Sequence, residues 1–173
     1  MTFFKASRES HTMKKHRPKK IVIVGDAATG KTTFAQKIAK QTGIELYGCD
    51  DLQYIVKFSH KRPEQDIQAQ AAQIATFERY IIEGTSRRIL HRFLADADVI
   101  YFFKSTSLLR QYWYFLKRAD PNQTCWSRIT FCKYLFCKYF NVGNVRKLKY
   151  EAFLANYMDK VITFTHFLEA KCC

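Results

Sequence analysis

A chain of 173 residues with a 47% hydrophobic share holds one α/β domain with a proper core and is too short for two. Its formal charge of +14 is uneven: residues 1–20 carry a net +6, residues 104–149 a net +9, and residues 21–103 balance. A neutral core domain therefore bears two basic segments, each able to meet nucleotide phosphates, nucleic acid or an anionic membrane. No apolar run approaches the 20 or so residues of a bilayer span, and no signal-peptide core is present. Cys49, Cys125, Cys132 and Cys137 sit among apolar residues, and no Cys-x-x-Cys pair exists for zinc. This usage excludes a disulfide framework and points to a reducing, cytoplasmic setting. The terminal Cys172-Cys173 pair lacks an upstream polybasic signal and reads as an exposed chain end.

Residues 1–19 are polar and basic up to the boundary at Pro18 and read as a flexible basic arm. Residues 20–173 form one nucleotide-binding domain. Ile21-Val22-Ile23-Val24 is a continuous apolar run, as in strands buried on both faces of a parallel sheet. Residues 31–40 have helical periodicity through Phe34 and Ile38 and stop at Thr42-Gly43. Residues 44–47 read as a second strand, and 63–77 as a helix with Pro63 in its first turn. Further strands are predicted at 80–82, 99–103 and 161–164, and helices at 106–118, 125–140 and 144–158. Five short strands separated by helices predict a doubly wound parallel five-stranded sheet. The helical mass at about 106–158 is then a lid-like insertion before the last strand.

Between the first strand and first helix stands Gly25-Asp26-Ala27-Ala28-Thr29-Gly30-Lys31-Thr32, followed by Thr33. Gly-x-x-x-x-Gly-Lys-Thr at a strand-to-helix turn is a P-loop, which cradles phosphates with backbone N–H groups. Gly25 and Gly30 allow the backbone angles and the close approach. Lys31 reaches the β- and γ-phosphates, and the Thr32 hydroxyl is a magnesium ligand. The expected cofactors are Mg2+ and ATP, with GTP left open. The chain has no Asn-Lys-x-Asp for guanine selection, no Ser-Gly-Gly-Gln-like stretch of transporter ATPases, and too little length for a helicase core.

Asp50-Asp51-Leu52 follows the second strand, Ile81-Ile82-Glu83-Gly84-Thr85-Ser86-Arg87 covers the third, and Ala97-Asp98-Val99-Ile100-Tyr101-Phe102 leads into the fourth. Over residues 20–168 this order resembles the adenylate-kinase-related P-loop proteins often labelled DNA topology modulation proteins. The family's third-strand segment usually reads aliphatic-Asp-Gly-Asn-Tyr-x-Arg, so Glu83 replaces an Asp. Lys104 stands where the fourth strand often ends in an acid. The resemblance implies a nucleotide-kinase-like fold. It also implies a lid between strands four and five that brings arginines over the transferred phosphate; Arg110, Arg118 and Arg128 are the candidates, with Arg118 preferred at a hinge before Ala119-Asp120-Pro121.

Ligands of a doubly wound sheet sit at the carboxyl ends of its strands. Asp50, with Asp51, is placed to take a proton from a substrate hydroxyl or to help hold magnesium; a helix-capping acid is the structural alternative. Glu83 is a candidate outer magnesium ligand, against a charge at a helix start. Arg87 and Arg88 are candidates to hold an acceptor anion, against a solvated helix face. The region 101–140 holds thirteen aromatics, among them Trp113 and Trp126, interleaved with Lys133 and Lys138. Base stacking, a buried helix and a homodimer contact all account for that pattern. The leading function is ATP-dependent phosphoryl transfer to a small-molecule acceptor such as a nucleoside or nucleotide. The alternatives are a nucleotide-binding regulatory protein associated with nucleic acid and a degenerate P-loop domain kept for protein interaction.

Overall fold

The structure, a computed structural model, describes residues 17–56, 60–104, 107–117, 129–130, 132–133, 136–137 and 150–165. Strand β1 (Lys20–Gly25) leads through the phosphate loop into α1 (Lys31–Thr42), then β2 (Leu46–Gly48) and a short α2 (Cys49–Gln53). A small antiparallel pair, β3 (Tyr54–Val56) and β4 (His60–Lys61), precedes α3 (Glu64–Ala75). There follow β5 (Tyr80–Gly84), α4 (Arg87–Leu94), β6 (Val99–Phe103) and α5 (Leu108–Lys117). After the segment 118–149 come α6 (Tyr150–Leu154), a 3-10 turn (Ala155–Lys160) and β7 (Val161–Phe164).

The five-stranded sheet has the order β2-β5-β1-β6-β7, and every described pairing in it is parallel. Alternation sends successive side chains to opposite faces, and both faces are covered. Val22 and Val24 of β1, Ile82 of β5 and Ile100 of β6 pack with Ile67 of α3 and with Leu90 and Phe93 of α4. Ile21, Ile23 and Ile81 face the other way, onto Phe34 and Ala35 of α1. Phe34 anchors that layer, its ring lying 5.0 to 5.4 Å from the rings of Tyr101, Phe103 and Phe164.

Most predicted elements appear, with shifted ends. The second strand pairs at Leu46–Gly48 rather than at 44–47, because Ile44 is buried by packing on α1's layer without joining the ladder. The helix expected over 63–77 runs Glu64–Ala75, with Pro63 as its N-cap. Helix α1 ends as predicted, on a left-handed Gly43 (φ 66°) whose N–H bonds the Ala39 carbonyl at 2.8 Å. Helix α2 and the β3–β4 pair have no counterpart in the sequence reading: five residues are too few to show a period, and exposed strands show no apolar alternation. Within the helix expected over 144–158, the described part is an α-helical turn and then a 3-10 turn kinked at Tyr157 (φ −129°). Most of the helix expected over 125–140 lies outside the described residues.

Candidate functional site

The carboxyl ends of β1, β5 and β6 lie side by side, Val24 opposite Gly84 and Gly25 opposite Phe103. The phosphate loop leaves this edge on a Gly25 φ of 147°, with no room beside it: a Cβ there would overlap the Phe103 carbonyl oxygen. Gly30 (φ 92°) turns the chain into α1, and Ala28 takes a left-handed φ of 57° without being glycine. Inside the loop, the Thr29 hydroxyl donates to the Asp26 carbonyl at 2.7 Å.

Lys31 starts α1 with its side chain folded back over the loop. Its ammonium donates to the Asp26 carbonyl, lies 3.5 Å from the Thr29 hydroxyl, and leaves the residue only 5% exposed. A nearly buried cation thus lies over the glycine loop. One residue on, the Thr32 hydroxyl donates to the Glu83 carboxylate at 3.1 Å. The structure thus brings together the two residues that the sequence singles out for metal. Glu83 lies in β5 rather than at a helix start, which removes the alternative account of it.

Asp50 and Asp51 fall in the first turn of α2 and are exposed. Between Asp50 and Glu83 sits the buried Cys49, packed so closely on β5 that a Cβ on Gly84 would strike it. Burial above all, then the Glu83 and Asp50 carboxylates, push the Cys49 thiol well above its usual range, while Lys31 and a backbone hydrogen bond from Ser86 pull the other way. Sequence reasoning missed Cys49, because an apolar-flanked cysteine looks like any core residue.

An open cleft of about 630 Å³ is lined by Thr85, Ser86, Arg87, Arg88, His91 and Phe153. Arg87, at the start of α4, is exposed to it. Arg88 is drawn instead to Glu64 of α3, 2.6 Å away. Lys104 pairs with Glu151 of α6 at 3.1 Å, which offsets the positive charge expected at the end of that strand.

Two buried side chains that the sequence did not reveal hold the loop from outside. Gln111 of α5 donates to the Ala27 carbonyl at 3.0 Å. The Tyr150 hydroxyl lies 3.2 Å from both the Gly25 and Thr85 carbonyls. Neither residue belongs to a motif, and only folding brings them to the loop.

Solved structures share this architecture. The chain is similar to an uncharacterized protein from Eubacterium ventriosum, with a TM-score of 0.53 at 19% identity over 88% of this chain and 93% of the other. It is also similar to a gluconokinase from Sinorhizobium meliloti, with a TM-score of 0.49 at 14% identity over 87% and 83% of the two chains. A sugar kinase from a Janibacter species gives a TM-score of 0.47 at 13% identity over 86% of each. No family model and no curated protein matches the chain. The shared fold is a doubly wound parallel α/β sheet with a glycine loop after its first strand.

Of the arginines proposed for a lid, Arg118 and Arg128 lie outside the described residues, and Arg110 is placed on α5 by its backbone alone. Residues 1–16 of the basic arm, and most of the aromatic and basic segment that suggested nucleic acid, also lie outside them. In the described part of that segment, Phe115 is buried while Leu109 and Trp113 face outward. Among the described residues no helix is long and apolar enough to cross a membrane.

Proposed function

We propose that this chain binds magnesium-ATP in the phosphate loop and transfers its terminal phosphoryl group to a small anionic acceptor in the open cleft. The observation carrying this reading is the Thr32–Glu83 contact at 3.1 Å beside the buried Lys31. A hydroxyl and a carboxylate at that distance offer the hard oxygen donors that magnesium prefers, and magnesium completes its shell with water and phosphate oxygens. Bound there, the metal neutralises charge on the triphosphate.

The chain's own residues supply position and electrostatics, which phosphoryl transfer mainly needs. Loop amides and Lys31 hold the phosphates. Glu83 orients Thr32. Arg87 and His91 line the cleft in which an acceptor would sit, next to Thr85. Asp50 is the group assigned to take the proton of an acceptor hydroxyl, and Arg118 the arginine assigned to the transferred phosphate.

The test is calorimetry with magnesium-ATP and magnesium-GTP, followed by ATP consumption over a panel of nucleosides, nucleotides, sugars and sugar acids. Saturable nucleotide binding with acceptor-dependent turnover is expected. Nucleotide binding with no transfer to any acceptor overturns the kinase half of the reading; no binding overturns all of it.

A further inference from the structure

Among the described residues, the buried polar or charged side chains are Lys31 and Gln111, and both serve the phosphate loop. Lys31 acts from within the loop, and Gln111 acts from α5. Its amide, 6% exposed, donates to the Ala27 carbonyl. Tyr150, 2% exposed, opens α6 and sets its hydroxyl 3.2 Å from both the Gly25 carbonyl and the Thr85 carbonyl, so its one proton is shared between them, and its ring packs 5.6 Å from that of Phe102. Helices α5 and α6 flank the segment 118–149, so each side of that segment sends one buried donor to the loop.

The consequence follows from peptide geometry. In a planar trans peptide the C=O and the next residue's N–H point in opposite directions. A donor holding the Ala27 carbonyl outward turns the Ala28 N–H the other way, and one holding the Gly25 carbonyl does the same for the Asp26 N–H. Ala28 also sits at a left-handed φ of 57°, a conformation a non-glycine residue keeps only when its surroundings impose it. We propose that Gln111 and Tyr150 are positioning residues that set the amides of the phosphate loop for the nucleotide, and so couple nucleotide binding to the helices on either side of 118–149. This rests on the nucleotide reading above. Because coupling is reciprocal, bound nucleotide stabilises α5 and α6 as those helices stabilise the loop.

The experiment uses the full chain and two shape-preserving variants, Gln111→Met and Tyr150→Phe. Tyr112→Phe is the control, since its hydroxyl, on the same helix as Gln111, donates to the Cys132 carbonyl instead. Magnesium-ATP affinity is read by calorimetry well below each melting temperature. Hydrogen exchange of residues 108–117 and 150–154 is read with and without nucleotide. Q111M and Y150F are each expected to weaken binding about five- to tenfold, the fold-change of one net hydrogen bond. Each should also lose part of the nucleotide-induced protection in its own helix, and the control should do neither. Unchanged affinity in both variants while the wild type binds overturns the clamp and leaves the nucleotide reading standing. Lower melting temperatures with unchanged affinity and protection also overturn it, since that is the signature of packing alone. A wild-type chain that binds no nucleotide overturns the nucleotide reading, and the positioning role with it. The variants act through different helices, so a folding defect in one leaves the other to decide.

Discussion

Thr32 and Glu83, 51 residues apart in sequence, meet through a 3.1 Å hydrogen bond at the junction of α1 and β5. The bond fixes the Thr32 hydroxyl where a phosphate-bound cation would meet it, with a carboxylate behind. Thr32→Ala and Glu83→Gln should therefore raise the magnesium concentration for half-maximal nucleotide binding, by about 10- to 100-fold, the usual cost of losing such support. Affinity for metal-free nucleotide should change little. Titration at graded magnesium checks this, and an unchanged magnesium requirement in both variants would count against the metal assignment.

Lys31 is the next point of attack. Its ammonium is nearly buried and donates to the Asp26 carbonyl. Lys31→Met keeps the apolar stem and deletes the charge. Turnover should fall by about 10²- to 10³-fold, the scale of losing one preorganised charge on the reacting phosphate. The melting temperature without nucleotide should hold or rise, because a desolvated ammonium is removed. Turnover within twofold of wild type would remove Lys31 from the chemistry.

What the sequence made legible here was local. The run at 21–24, the glycine spacing of the loop and the stop at Gly43 each express a short-range rule, and each appears in the structure within a residue or two. Glu83 drew notice from its place near the carboxyl end of an apolar strand, and the structure sets it against Thr32. Gln111 and Tyr150 did not, since their partners lie 84 and 125 residues away and one polar or aromatic residue in a helix signals nothing by itself. Nor was the Arg88–Glu64 pair legible, since its partners lie 24 residues apart on different helices.

Gly25 separates space from strain. A Cβ at Gly25 meets the Phe103 backbone, whereas one at Gly43 meets nothing within 4 Å; both glycines have positive φ, 147° and 66°. Gly43→Ala should cost about 1–2 kcal/mol, the left-handed penalty alone. Gly25→Ala should cost more, because β6 must also move away from β1. Urea denaturation of the two variants compares them directly, and equal losses would show that the β1–β6 edge yields freely.

Arg87 and Arg88 are adjacent in sequence but differ in surroundings. Arg87→Ala should raise the acceptor KM by about tenfold or more, given the strength of charge-assisted contacts, and leave magnesium-ATP affinity unchanged. Arg88→Ala breaks an exposed pair with Glu64 and should shift stability by no more than about 1 kcal/mol. Steady-state kinetics with the acceptor varied distinguishes them, and equal effects on KM would place both arginines, or neither, on the acceptor.

Cys49 ties the site to alkaline stability. Its thiol is buried against Gly84, and burial with two nearby carboxylates raises its pKa above the ordinary 9.0. At pH 7.5 it should stay a neutral thiol and resist iodoacetamide in the native chain, while the partly exposed Cys132 and Cys137 react. In urea all three should react alike, and mass spectrometry of the labelled peptides measures the difference. The same shift gives stability a sign. The folded state holds the proton more tightly, so this contribution is complete below about pH 9 and is lost as pH rises through the folded-state value. Tyr47 and Tyr80, both pushed up to about 12 mainly by burial, extend the loss between pH 10 and 12. Denaturation midpoints should therefore fall steadily above pH 9, and Cys49→Ala should delay the onset of that fall toward pH 10. Ready labelling of native Cys49 at pH 7.5 would show that the thiol is open to solvent, and the packing of α2 on β5 described here would be wrong.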